Sequence, residues 1–512
     1  MRADFSAPPL FGDSPKTGGQ GIAHSWELAS DLSKITFKLN PKAEFHRGWG
    51  KVRAADVVWS MQEAAKEGTK STRGPILTIW IAKWEAVDDL TVVAHVKPGK
   101  LDPTWRMLLS DSGGGSVPIV SKRLYDEKGE DGARRTEAGT GVLVSTKWTT
   151  QEEVRGEPVP NHWRVTPKVK EVRVVAIPET AARIAAIRAG EVHISAVPVK
   201  MMDEVVKSAP GVRTIQLGQP QRQVFYFAGN YWAKLDQEGK PLDPYPRPGF
   251  KPDKDHPWIG DPGKCEWTEL VITTPCLEAN ESMQKARKVR YALNLAIDRK
   301  AIKEKVFTGY SQVIWTSMVP EEDPNFKKEW IIPYDPAKAK QLLAEAGVPE
   351  GFAFTTYVAP DNPGGFDPEG GEVVAQMWRA LGLKVAVEKT VYAARRPTYV
   401  ARSIDIPKLH HTNWLMFDEP KGGSLITTPG YNDGVEVPDV WGQLRWANVT
   451  EPSEPVRRQN NVKFQDFLSY WMLTAAYVTL EPYWIVRPEV KEWAPHQQSW
   501  THFISPETIV MK

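Results

Sequence analysis

Chemistry in this 512-residue chain would have to come from a short inventory of reactive side chains. Its two cysteines, Cys265 and Cys276, bracket the segment CEWTELVITTPC. That spacing suits a disulfide closing a short loop, worth about 2–3 kcal/mol on the loop-entropy account, and an oxidising compartment. It equally suits two unrelated thiols, and it matches neither a zinc site nor a CxxC redox pair. His410 and His411 are adjacent, so their rings diverge unless the backbone bends, and no HxxxH or cysteine partner lies nearby. The run DSGGGS (111–116) lacks the lysine and the helix start of a phosphate loop. The acidic pairs Asp88–Asp89 and Glu321–Glu322 read as solvated turns, and without a fold no carboxylate pair can be nominated for glycoside chemistry. GxGxxG after a strand, GxxxxGK[ST], HExxH and GxSxG are all absent. No catalytic residue, metal or cofactor is therefore assigned. What remains is recognition: 21 tryptophans offer flat faces for sugars, aromatic groups or cations, although most belong in the core.

The elements that would position such faces are readable. With 41% hydrophobic and 25% charged residues, the chain can bury more than one sizeable core. The 65 basic and 63 acidic side chains leave a formal charge of +2, which gives no ground for a nucleic-acid partner or an anionic membrane. No stretch approaches the roughly 20 apolar residues of a membrane-spanning helix. The 42 prolines and 38 glycines imply many turns and irregular connections. Residues 24–39 read as two strands, with Ile35, Phe37 and Leu39 alternating inward. A helix is expected over 53–68, stopped by Gly68, with Val57, Val58, Met61 and Ala65 on one face. Strand character follows over 84–96, then 139–150 and 168–177, where Val169, Val172, Val174 and Ile177 are the apolar positions. Pro178 opens a helix that Gly190 ends. The strand QVFYFAGN (223–230) precedes a polar insertion, 231–280, expected to drape over a surface. Helices are expected at 285–309, broken near Asp298, at 334–348 behind Asp335 and Pro336, and at 456–471. Residues 372–389 read as helix then strand. This alternation predicts an α/β fold of parallel type.

Five ordered blocks resemble the large solute-binding proteins of peptide, nickel and oligosaccharide ABC importers. The opening block SWELASDLSKITFKLNPKAEFHRGWGKVRAADVVWSM carries Ser25, Trp26, Asp31, Phe37, Leu39, Phe45, His46, Gly48, Ala54, Asp56, Val57, Val58 and Ser60 in that family's pattern. Gly139-Thr140-Gly141 is similar to its GTGPY bend. The blocks NHWRVTPKVKEVRVVAIPETAARIAAIRAGEVHI, VRYALNLAIDRKAI and YDPAKAKQLLAEAG follow in order. The resemblance implies a two-lobed fold of the type II periplasmic-binding kind, with an extra subdomain on lobe one at about 50–165. Lobe one would be 1–224 with 483–512 returning to it, and lobe two 225–482. It implies capture of a small solute, a peptide or an oligosaccharide, in the crevice between hinged lobes, and delivery to ABC permease subunits. A monomer outside the cytoplasmic membrane is expected. The shared residues are mostly structural, with Asp56 and Asp298 capping or pairing locally.

Departures from the family pattern bear on the cargo. Only about 25 residues precede Trp26, so a shortened first lobe is expected, and neither a signal peptide nor a lipid-attachment cysteine is visible. Val142-Leu143 replaces Pro-Tyr after the bend, and Arg47 stands where the family has an acid. The family's amine-anchoring aspartate follows a tryptophan; here NWLMFDEP offers Trp414 and Asp418 with the spacing off by one. Further candidate ligand contacts are Tyr226 and Asn230 at the first crossing between lobes, and Tyr483 and Trp484 at the second. A secreted α/β hydrolase and a truncated, non-transporting relative are the alternatives. Turnover would mark the hydrolase, and an upstream reading frame with a signal peptide would discriminate the truncated relative.

Overall fold

The computed structural model describes residues 21–66, 74–101, 105, 109, 117–149, 152–216, 221–227, 229, 232–235, 241, 255–358, 368–390, 394, 409–415, 437–449, 451, 453–480, 483–494 and 505–512. The chain divides into two compact units, the first made of 1–218 and 483–512 and the second of 219–482.

The first unit opens on a four-stranded antiparallel sheet in the order Ala23–Leu28, Lys34–Leu39, Thr91–Val96, Ile81–Asp88. Ile35, Phe37 and Leu39 point into its core while Lys34 and Lys38 face water, as period-two alternation requires. The helix Ala54–Ala65 packs on this sheet with Val57 and Met61 buried, and ends before Gly68, which lies outside the described residues. Asp56 fixes that helix twice. One carboxylate oxygen accepts the Arg53 amide at 2.8 Å, and the other accepts the Lys122 amide at 2.8 Å, at the start of the helix Lys122–Arg135. Burial raises this carboxyl above its ordinary pKa, against the pull of the two amides.

A second sheet of this unit runs Leu143–Thr149, Glu153–Pro158, Val172–Val175, all antiparallel. Val169 and Val172 are buried as expected, but Val174 is 39% exposed. The reason is register: Val174, Val154 and Trp148 form one row across the sheet, on its part beyond the core. Glu153 ties the three strands, meeting Lys147 Nζ at 2.9 Å, Arg155 Nε at 2.9 Å and Arg173 Nε at 2.7 Å. Those three cations, Lys147 first, hold its carboxyl down at about 2. Beyond the helix Thr180–Ala189, which Gly190 ends with φ +81°, the strand Tyr483–Val486 pairs with both Ile194–Ala196 and Arg213–Gln216.

The second unit is built on a five-stranded sheet in the order Lys384–Lys389, Ala353–Val358, Leu409–Leu415, Gln221–Phe227, Thr474–Leu480. Among the described strands the parallel pairings are those of Ala353–Val358, with Lys384–Lys389 through the crossover helix Pro368–Ala380 and with Leu409–Leu415. The other pairings are antiparallel, so the expected parallel character is confined to this corner, and in the first unit short turns between successive strands dictate hairpins instead. Asp335 caps the helix Pro336–Glu345 by accepting the Lys338 amide at 2.8 Å, and Asp298 caps Arg299–Ala301 through the Ala301 amide at 2.9 Å.

The insertion 231–280 behaves differently from its composition. Among its described residues, Trp232, Trp258, Trp267 and Leu277 are buried, and Trp232, Trp267 and Leu277 join the core around Phe467 and Trp471. A few large aromatic side chains reach inward from a polar segment, and average polarity conceals them.

Candidate functional site

Cys265 and Cys276 form a disulfide with their Cα atoms 5.7 Å apart, closing the loop that carries Trp267. On the loop-entropy account it stabilises by about 3 kcal/mol. Reduction with a dithiol should therefore lower the melting temperature, and Cys265→Ser/Cys276→Ser should reproduce that shift and be insensitive to reductant, as read by differential scanning fluorimetry.

Side chains and backbone from two other parts of the first unit clamp the bend Gly139-Thr140-Gly141. His46 gives its amide to the Gly139 carbonyl at 2.8 Å and sets Nε2 2.8 Å from the Gly141 carbonyl. His162 Nε2 and Trp163 Nε1 both donate to the Thr140 carbonyl, at 3.0 and 3.2 Å. His162 Nδ1 accepts the Arg164 and Val165 amides at 3.1 and 3.4 Å, which fixes the neutral tautomer with its proton on Nε2. Burial, helped by the neighbouring Arg164 charge, pulls His162 down to about 4 against the opposing hydrogen bond to the Thr140 carbonyl. Glu137 faces His46 Nδ1 at 3.2 Å and accepts the Ser145 amide at 2.8 Å. Arg47, at the position that departs from the family's acid, lies 3.6 Å from Glu137 and donates to the Ser145 carbonyl at 3.0 Å. A basic residue there completes the clamp, so three of the ordered sequence blocks meet at one structural knot. The role of His162 escaped sequence reasoning, because Thr140 and His46 are remote from it in the chain.

In the second unit, the block VRYALNLAIDRKAI supplies two buried arginines. Arg290 donates from Nε to the Trp471 carbonyl at 2.7 Å and from Nη1 to the Trp258 carbonyl at 2.5 Å. Arg299 donates to the Ala476 carbonyl at 2.8 Å and lies over the Trp315 ring at 5.3 Å. Burial draws both guanidinium groups down to about 9, which leaves them charged at neutral pH. Arg290 staples the helix Glu281–Leu295 to the end of the helix Glu454–Trp471, and Arg299 staples the turn that follows to the strand Thr474–Leu480.

The expected ligand contacts that are described fall in both units. Tyr226 is fully buried in the fourth strand of the five-stranded sheet, opposite His410 on one side and Thr474 on the other. Trp414 lies in the strand Leu409–Leu415 opposite Arg222, four positions from the His410 pairing, or about 14 Å along the strand. The strand therefore does not bring Trp414 and Tyr226 together. Arg222 is itself buried and holds the turn at Ser317 and Met318 through their carbonyls. Tyr483 and Trp484 are half-buried neighbours in the first unit, and Trp484 stands edge-on to Trp493 at 6.2 Å. Asn230 and Asp418, and the run 111–116, lie outside the described residues. Asp88 accepts the Leu90 amide at 2.8 Å in an exposed turn, and Glu321 accepts Trp315 Nε1 at 3.1 Å. Among the described residues no group of three His, Cys, Asp or Glu is placed to hold a metal ion, and no helix is long and apolar enough to cross a membrane.

Known proteins sharpen this picture. The profile of the bacterial extracellular solute-binding proteins, family 5 Middle, matches residues 19–420. Heme-binding protein A of Haemophilus influenzae is 26% identical over 390 residues, covering 71% of this chain and 60% of that protein. Glutathione-binding protein GsiB of Pectobacterium atrosepticum is 25% identical over 338 residues, covering 66% of this chain and 54% of that protein. The match thus spans less than two thirds of either relative. The periplasmic binding protein DppA from Helicobacter pylori, solved with the peptide STSA, superposes with a TM-score of 0.74 at 17% identity, covering 100% of this chain and 93% of that one. That superposition gives the fold, which is of the type II periplasmic-binding kind.

Proposed function

Because the chain belongs to the bacterial extracellular solute-binding proteins of family 5, which are transport receptors, we propose that it captures a peptide or peptide-like solute and passes it to an ABC permease. The observation that carries this reading is the family match across 19–420, which includes residues of both compact units. The disulfide supports an oxidising location outside the cytoplasmic membrane. Relatives named for glutathione, heme and di- or tripeptides narrow the first candidates, and glutathione, a charged tripeptide, combines two of these classes. Within this reading Trp414 supplies a stacking face and Asp418 the partner of a ligand ammonium, with Asn230, Tyr483 and Trp484 as further contacts; Tyr226 supports the sheet from inside its core.

Calorimetry and thermal shift against glutathione, dipeptides, tripeptides, heme and cello-oligosaccharides test the proposal. A true solute at 100 times its dissociation constant should stabilise by about 2.7 kcal/mol, with no product formed. Asp418→Asn should weaken an amine-bearing solute at least tenfold, as expected when a charge-assisted hydrogen bond is lost. Silence across the panel, or steady turnover of any member, would sink the reading.

A further inference from the structure

The disulfide-closed loop of the second unit ends in an apolar tip that its own packing does not use. Leu270 and Val271 are adjacent and 44% and 36% exposed. Single exposed aliphatic residues are ordinary, but this pair sits on a loop held rigid from both shoulders. Trp267 is wedged against Trp232 and Trp471 with ring centroids 5.4 and 5.8 Å away. Trp471 Nε1 donates to the Ile272 carbonyl at 2.8 Å, immediately beside the tip. The Val271 amide donates to the Glu269 carbonyl at 2.9 Å, Thr274 Oγ1 caps the helix Pro275–Ala279, and Leu277 is fully buried. The Cys265–Cys276 bond closes the base. A loop so tethered loses little conformational freedom when something covers it.

The surroundings state the charge of that occupant. Residues 261–281 hold five acids, Asp261, Glu266, Glu269, Glu278 and Glu281, against one base, Lys264, in a chain whose formal charge is +2. Glu266 is matched by Lys234 and Glu281 by Lys285, whereas Glu269 and Glu278 are exposed and make no ion pair with another described residue. We propose that Leu270 and Val271 form a docking knob for a protein surface that offers an apolar pocket bordered by lysine or arginine. This rests on the receptor reading above, under which that surface belongs to the permease. An anionic lipid surface is the wrong sign for Glu269 and Glu278.

Biolayer interferometry with the permease in phosphatidylcholine nanodiscs tests the knob, with solute affinity by calorimetry and a thermal melt as controls on folding. Leu270→Glu/Val271→Glu should weaken docking at least tenfold while solute affinity stays unchanged. Glu269→Lys/Glu278→Lys should weaken it severalfold and flatten its salt dependence. Cys265→Ser/Cys276→Ser, folded and solute-competent, should also dock more weakly, because the tip loses its fixed base. Variants that dock like the wild type overturn the proposal, as does equal binding to permease-free nanodiscs containing phosphatidylglycerol. A wild type that binds solute but not the permease overturns the knob alone; one that binds neither overturns the receptor reading as well.

Discussion

Trp471→Ala should cost the second unit about 3–5 kcal/mol, the range for truncating a fully buried tryptophan. Trp471 ends the helix Glu454–Trp471 and sits where four parts of the chain converge. Its ring meets Trp232 at 6.1 Å, Trp267 at 5.8 Å and Tyr470 at 5.0 Å, and its indole N–H is committed to the Ile272 carbonyl. Its own carbonyl receives Arg290. Alanine opens a cavity under the disulfide loop and strips the Ile272 carbonyl of its donor, so transfer, cavity and hydrogen-bond losses act together. Trp471→Phe separates them: it keeps most of the volume and should lose closer to about 1–2 kcal/mol. Guanidinium denaturation followed by tryptophan fluorescence measures both, and an alanine variant within 1 kcal/mol of the wild type would show that this cluster does not hold the unit together.

That convergence also marks what the sequence conceals. Local grammar is plain: Asp335 and Pro336 open a helix and Gly347, with φ +79°, closes it, while Ile35, Phe37 and Leu39 declare an inward strand face. Such signals depend on neighbours a few residues apart. Trp232, Trp267 and Trp471 have no local period that links them, and the polar composition of 231–280 points away from a core role. The ordered blocks of the resemblance read correctly because their residues are caps, clamps and staples, as Asp56, His46, Arg290 and Arg299 demonstrate. The same fact explains why they say little of the cargo. Scaffold positions are constrained by backbone geometry that any solute leaves unchanged, whereas contact positions of the kind proposed for Trp414 and Asp418 would vary with the cargo, and a one-residue slip in their spacing is enough to blur the reading.

His162 gives the protein an expected acid sensitivity that begins well above the carboxylate range. Folded, the ring is held neutral at about 4, against 6.5 for the ordinary side chain, chiefly because burial disfavours the imidazolium. Between those values the unfolded chain takes up a proton that the native state refuses. The contribution is therefore complete above pH 6.5 and is lost as pH falls through about 4, and it amounts to something on the order of 3 kcal/mol, reduced by the ring's partial exposure. Glu153 and Glu489, held at about 2, add to acid lability only lower, as pH falls below 4.5, and the raised Asp56 carboxyl acts in the opposite sense, so the loss of stability between 6.5 and 4.5 is chiefly that of His162. His162→Asn keeps an acceptor for the Arg164 and Val165 amides and removes the titration. Its stability at pH 7 should drop by about 1 kcal/mol with the lost Thr140 hydrogen bond, and its urea midpoint should vary less between pH 6.5 and 4.5 than the wild type's. Equal pH slopes in the two proteins would mean that the imidazole titrates alike in both states, and that the clamp on the Gly139–Gly141 bend does not depend on its neutral form.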